Sequence, residues 1–236
     1  QGFILMTDFG TDQYLDKLND ETVFCLYTDA LDTIRKMQSR TDTKDLKLFD
    51  AEEMLLEMNL FKNWFLEREL ELDFKNSGAN FINECFQSVI KIILTIPITF
   101  IHRDYHSRNL MVLDVENPGV LDYQDALIGP ITYDLASLLN DCYIKWNEAL
   151  VDRMIDSYYK RIRVAYPNMN LDEFKFWFDV TALQRHLKAI GIFSRLKHRD
   201  QKKHFIEDIP RTYSYINKTI EQYSELDDIK SLLNDL

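Results

Sequence analysis

Eight consecutive residues, His102-Arg103-Asp104-Tyr105-His106-Ser107-Arg108-Asn109, and an aspartate thirteen positions further on, Asp122, are the side chains best suited to chemistry. A carboxylate such as Asp104 can accept the proton of a hydroxyl, and a positioned base of this kind contributes about 10²–10⁴ in rate. The neutral oxygen of Asn109 and the anionic oxygen of Asp122 are hard ligands of the kind Mg²⁺ takes alongside phosphates and water. Phosphoryl transfer from ATP asks for little more than a positioned hydroxyl, neutralised phosphate oxygens and in-line geometry. Taken alone, H-R-D and D-x-x-x-x-N are weak signals. Their coincidence after a short β-run and before a hairpin that ends in Asp122 is what carries the reading.

Other chemistries compete for the same residues. His102-x-Asp104-x-His106 could be a metal-hydrolase cluster, but such a site needs more ligands downstream. His186, His198 and His204 lack ligand-pair spacing, and Asn109 would be left without a task. The H-R-D-x-x-x-x-N spacing also matches a protein-kinase catalytic loop. Asp8-Phe9-Gly10 spells the metal-binding tripeptide of that group, yet it precedes the loop instead of following it. The counterpart is Asp122-Tyr123-Gln124, and the gap to Gly129-Pro130 is too short for a phospho-regulated activation loop. A small molecule is therefore the expected substrate. His102 reads as a packed structural residue and Arg103 as an organiser of the loop, while His106 could contact substrate or face solvent.

The elements that must position this loop are mostly helical. Phe24, Tyr27, Leu31 and Ile34 recur at helical spacing, with Asp20 as a candidate cap. Asp50-Ala51-Glu52-Glu53 resembles a capping box opening an amphipathic segment through Met54, Met58, Phe61 and Phe65. Ser77-Gly78 breaks the pattern, and Ile82, Cys85, Phe86, Val89, Ile90 and Ile93 then form an apolar stripe ended by Pro97. Phe3 to Met6 and Thr99 to Ile101 read as short strands. Leu110 to Val115 and Val120 to Asp122 read as a hairpin around Glu116-Asn117-Pro118-Gly119, which brings Asn109 and Asp122 together. Beyond Gly129-Pro130 the chain reads as helix almost to its end, with Pro210 in the first turn of a late helix. The fold class is thus mainly α with a small β-hairpin.

The 236 residues, 46% of them hydrophobic, can bury a substantial core, and 6 Gly and 5 Pro argue against long disordered stretches. A net charge of -11 disfavours nucleic acid and anionic membranes as partners. The apolar stretch from Val89 to Ile101 is interrupted by Lys91 and Pro97 and is too short to span a bilayer. Cys25, Cys85 and Cys142 form no CxxC pair and read as reduced thiols, and with no signal-peptide pattern a cytoplasmic location is expected.

At this point the residues resemble the aminoglycoside phosphotransferase / choline kinase superfamily. The carriers are His102-Arg103-Asp104, Asn109, Asp122 and Gly129-Pro130-Ile131-Thr132-Tyr133-Asp134-Leu135. Within it, the chain is most similar to the bacterial kinases that phosphorylate the anomeric hydroxyl of N-acetylmuramate and N-acetylglucosamine. That likeness rests on His102 to Met111, Asp122-Tyr123-Gln124-Asp125-Ala126, Trp64-Phe65-Leu66, Asp141-Cys142-Tyr143 and Leu183 to Lys188. The resemblance implies a protein-kinase-like α+β fold using ATP and Mg²⁺, and a sugar 1-phosphate product that feeds cell-wall sugar recycling. It implies Asp104 as the catalytic base, Asn109 and Asp122 as metal ligands, and Asp134 as the structural residue holding the loop. Met6, Thr7 and Asp8 would lie at the hinge where backbone groups meet adenine. Residues 11–236 would be the helical C-terminal catalytic lobe and residues 1–10 a hinge strand of the N-terminal lobe.

The family's N-terminal lobe carries a loop over the phosphates and a Lys–Glu pair, for which this sequence shows no counterpart. The expectation is a chain that is largely inactive by itself, because the phosphates lose an electrostatic clamp. For the acceptor, N-acetylmuramate carries a lactyl carboxylate that wants a cation. Arg185, His186 and Lys188 are candidates, although a solvated basic helix face is the plainer reading of Arg185 and Lys188. Trp64 and Phe65 could stack on a sugar, with core packing the plainer reading. An aminoglycoside or choline-like alcohol kinase is the alternative, and a non-catalytic remnant or binding module is the alternative from another class.

Overall fold

The computed structural model describes residue 3, residues 7–74 and residues 77–234. In chain order these form α1 (Tyr14–Lys17), α2 (Val23–Arg40), α3 (Ala51–Leu60) and a π-helical stretch, Phe61–Glu69, continuing α3. There follow α4 (Ser77–Ile93), β1 (Ile98–Ile101), β2 (Leu110–Met111), β3 (Gly119–Val120) and β4 (Leu127–Pro130). The remainder is α5 (Tyr133–Leu139), α6 (Glu148–Ile162), α7 (Leu171–His198), α8 (Ile209–Gln222) and α9 (Asp227–Asn234), with short 3₁₀ turns between. No helix among the described residues is long and apolar enough to cross a membrane.

Local chemistry accounts for several boundaries. Asp50 caps α3 as expected, its Oδ1 accepting from Glu52 N at 3.0 Å and Glu53 N at 3.1 Å, a bond set worth about 1 kcal/mol. Asp20 does not cap α2. Thr22 stands at the cap position without a side-chain cap bond, and Asn19 shapes the turn before it by accepting the amides of Glu21 and Thr22. All six apolar residues of the α4 stripe are buried, and Pro210 stands in the first turn of α8. Ser77 opens α4 where a break was expected. The strand expected at Phe3–Met6 falls largely on residues 4–6, outside those described.

The core gathers on α7, which at 28 residues is about 42 Å long. It packs against α3, the π-helical stretch, α5 and α8, burying Phe174, Phe178, Leu183, Leu187 and Ile190. Gly191 permits the tightest of these contacts. A Cβ there would lie 2.3 Å from the carbonyl carbon of Leu60.

Two antiparallel pairs carry the loops. β2 and β3 form the expected hairpin, with Leu110 opposite Val120 and Met111 opposite Gly119. It is shorter than its alternation suggested because Asn117 organises the turn through its side chain. Asn117 Oδ1 accepts from Leu113 N at 3.0 Å, and Nδ2 donates to Tyr14 Oη and Asp29 Oδ2. The second pair, β1 with β4, was not expected. Ile98 to Ile101 run opposite Pro130 to Leu127, so Gly129-Pro130 belongs to a strand and not to a breaking turn.

Candidate active site

The loop from His102 to Asn109 leaves β1 and is held by two buried aspartates. Asp134, in the first turn of α5, accepts from His102 N through Oδ2 at 2.8 Å and from Arg103 N through Oδ1 at 3.0 Å. Asp141 accepts from Ser107 N at 2.9 Å with Oδ2 and from Tyr143 N at 2.8 Å with Oδ1. Burial pushes the Asp134 carboxyl above the usual carboxylate range, while His102 and the two amides pull it back part of the way. His102 itself is fully buried, its ring edge-on to Tyr105 at 5.8 Å. Arg103 sits at φ 78, a conformation that costs a non-glycine residue about 1–3 kcal/mol and needs surroundings that over-determine it. The Asp134 bond and an ion pair to Glu57 supply them.

Asp104 follows. Its carbonyl accepts from His106 N at 3.2 Å and from Asn109 Nδ2 at 3.0 Å. With Nδ2 so engaged, Asn109 presents its Oδ1 as the free polar atom. Asn109 also joins the loop to the hairpin, since its carbonyl accepts from Leu121 N at 2.9 Å. Asp122, just past β3, is left-handed at φ 66, ψ 42, a region that aspartate tolerates better than most residues. Its Oδ1 accepts from Gln124 Nε2 at 2.9 Å.

Two adjoining cavities meet at Asp104, His106 and Tyr143. One, of about 350 Å³, is lined by Asn109, Asp122, Arg108 and Gln13 as well. The other, of about 180 Å³, lies toward α7 and is lined by Arg185, Lys188, Asp141 and Phe193. The loop thus brings Asp104, Asn109 and Asp122 to one place, with Asp104 at the seam. The described residues gather no group of three or more His, Cys, Asp or Glu able to hold a metal, which removes the geometric basis of the hydrolase reading. Asn109 and Asp122 do fit Mg²⁺ held jointly with phosphates, a use that asks only one or two protein carboxylates or amides.

The basic residues of α7 are not a solvated face. Arg185 and Lys188 are half-buried and turned into the smaller cavity. Lys188 Nζ pairs with Glu57 Oε1 at 2.7 Å, and Gln184 Nε2 donates to Glu57 Oε2 at 2.9 Å. Burial alone would raise the Glu57 carboxyl, but Lys188 and Arg103 together hold it below the usual range. Arg185 lies over the Tyr133 ring at 5.0 Å. His106 faces both cavities, and burial, aided by Arg185 and opposed by Asp141, keeps its imidazole below its ordinary pKa.

His186 departs from its expected place. It points to the other side of α7, where Nε2 bonds the carbonyl of Asn140 at 2.8 Å and the ring stacks on Tyr215 at 4.9 Å. One position along a helix turns a side chain by about 100°, and His186 lines neither cavity. Trp64 and Phe65 lie in the π-helical stretch and line neither cavity, Phe65 being packed on Phe61. Met6 is outside the described residues, and Thr7 and Asp8 are exposed, Asp8 Oδ1 accepting from Gly10 N. Phe9 packs over Gly119 and Asp12 O accepts from Val112 N, so this segment runs beside the hairpin that carries Asp122. Glu57 and Asp141, both central to the site, were not picked out as site residues. Glu57 sits among apolar neighbours in α3, and an isolated charge within an amphipathic stripe was the available signal.

A loop strung between two buried aspartates on a helical body, with a hairpin returning a third aspartate to it, defines a phosphotransferase of the kinase-like class. Comparison with known proteins agrees. The chain belongs to the phosphotransferase enzyme family, whose model matches residues 1–170. A protein of Pseudomonas putida named N-acetylmuramate/N-acetylglucosamine kinase is 37% identical over 238 residues, covering all of this chain and 70% of the relative. A protein of the same name from Neisseria meningitidis is 38% identical over 244 residues, covering all of this chain and 72% of the relative. Among solved structures, choline kinase from Cryptosporidium parvum superposes with a TM-score of 0.56 at 14% identity, over 97% of this chain and 74% of that one. The gentamicin complex of APH(2")-IIa gives 0.54 at 15%, over 94% and 70%. At these identities the two structures speak for the fold.

Proposed function

We propose that the protein transfers the γ-phosphoryl group of ATP to the anomeric hydroxyl of an N-acetylated amino sugar, N-acetylmuramate or N-acetylglucosamine. The position of Asp104 at the junction of the two cavities carries this reading. On the α7 side the sugar hydroxyl meets the Asp104 carboxylate and gives up its proton. On the hairpin side the phosphates lie against Asn109, Asp122 and Arg108. The sugar oxygen forms the new O–P bond as the bond to the β,γ-bridging oxygen breaks, leaving ADP and a sugar 1-phosphate. Asn109 and Asp122 would hold Mg²⁺, which when bound neutralises phosphate charge. Asp134 and His102 keep the loop in place, and Thr7 and Asp8 are assigned to the adenine end. Residues 11–236 then act as the helical lobe. The names of the relatives that match all of this chain support the choice of acceptor.

The test is turnover by the full-length gene product with ATP and either sugar, followed by ³¹P NMR of the product. A 1-phosphate resonance is expected. Transfer to aminoglycosides or choline with no transfer to either sugar would overturn the reading.

A further inference from the structure

Among the cations around the smaller cavity, one makes no direct ion pair among the described residues, although Asp104 and Asp134 act on it electrostatically. Arg103 and Lys188 both pair with Glu57. Burial pushes the His106 imidazole below its ordinary pKa, and both oxygens of Asp141 accept from backbone amides. Arg185 has no ion pair among the described residues. It has the Tyr133 ring beneath it, and its Nε is shut off from solvent with no hydrogen-bond partner. Burying a guanidinium nitrogen unpaired is costly, and the planar fork is suited to a carboxylate, which it can grip with two parallel bonds.

We propose that Arg185 is the residue that reads the carboxylate of an acidic acceptor sugar, and so sets the preference for N-acetylmuramate over N-acetylglucosamine. The inference rests on the acceptor class proposed above. The two sugars differ by one lactyl ether carboxylate. An acceptor held against Asp104 brings that group close to an existing negative charge, and Arg185 in the same cavity offsets the repulsion. Glu57 engages Lys188 and Arg103 in direct ion pairs, so the Arg185 fork is the one left open to a ligand. One unengaged guanidinium fork matches one carboxylate, and a neutral sugar loses little by leaving it alone. Lys188 is by this argument a support of Glu57 and not a substrate ligand.

The experiment is steady-state kinetics of the full-length gene product on both sugars, for wild type, Arg185→Met and Arg185→Lys, with thermal melts alongside. Arg185→Met should lower kcat/KM for N-acetylmuramate about 10- to 100-fold, the range of a charge-assisted hydrogen-bonded pair. The loss should appear mainly in KM, with N-acetylglucosamine changed less than about threefold. Arg185→Lys keeps the charge and the stem packing, loses the fork, and should fall between. If Arg185→Met fails to fold, the Lys variant carries the test, with a loss confined to the acidic sugar. Equal losses on both sugars, concentrated in kcat, would instead place Arg185 on the transferring phosphoryl group and overturn the assignment. Unchanged kinetics on both would also overturn it. If wild type turns over neither sugar, the acceptor class itself falls and takes this inference with it.

Discussion

Four aspartates within a short stretch of chain show how one side chain serves opposite ends. Asp134 and Asp141 are buried and give both carboxylate oxygens to backbone amides of the loop and its neighbour. Asp104 and Asp122 border open cavities, with at most one side-chain bond to Gln124 between them among those described. The first pair fixes where the loop runs. The second pair keeps oxygens available for something that is not protein. What separates the two is which groups their oxygens already bond, and this follows from where the chain places them and not from residue type.

The sharpest way to break that contrast is Asp104→Asn. It should lower kcat by about 10²–10⁴ while leaving the melting temperature within a degree or two, checked by coupled ATP-consumption assay and circular dichroism. Near-normal turnover would remove Asp104 from the role of base. Asp134→Ala should do the reverse. It orphans the buried His102 amide and the part-buried Arg103 amide and should cost about 2–4 kcal/mol of stability, read from the denaturant midpoint, with activity lost as a consequence. Asp134→Asn should be milder, since it keeps one acceptor and burial already opposes the charge there. If Asp134→Ala proves as stable as wild type, the claim that this carboxylate holds the loop fails.

A smaller effect tests a buried group that the fold keeps neutral. Burial, only partly opposed by the Asn140 carbonyl, holds His186 at about 4, below its ordinary 6.5. The unfolded chain therefore takes up this proton first. The contribution is fully present above pH 6.5 and is lost as pH falls toward 4, by about 3 kcal/mol in the limit. His186→Gln preserves a donor to Asn140 and should flatten that part of the stability–pH curve. An unchanged acid slope would mean that His186 does not control it.

Much of the site could be read from the chain because its parts are close in sequence. His102 to Asn109 and Asp122 are joined by a hairpin, and Asp50 caps its own helix. What escaped depends on distant partners. Glu57 meets Arg103 46 positions away and Gln184 127 positions away, and nothing local in α3 announces either. β4 escaped because half of it is Gly129-Pro130, whose type suggests a turn, while pairing with β1 overrides that preference. His186 follows Arg185 in sequence but bonds the Asn140 carbonyl while Arg185 lies over Tyr133, because neighbours on a helix point in different directions.

Gly191 makes the charge of the smaller cavity depend on helix spacing. The backbone of α7 lies so close to Leu60 and Phe61 that a methyl group at position 191 would force the two helices apart. One turn back on α7 stands Lys188, and one turn back on α3 stands Glu57, so their 2.7 Å contact spans the same seam. Prying the helices apart by an alanine would free the Lys188 ammonium beside the Arg185 guanidinium in the pocket. The distance between two backbones would then act as a dial on which ligands the pocket accepts, set by a residue that itself touches none of them.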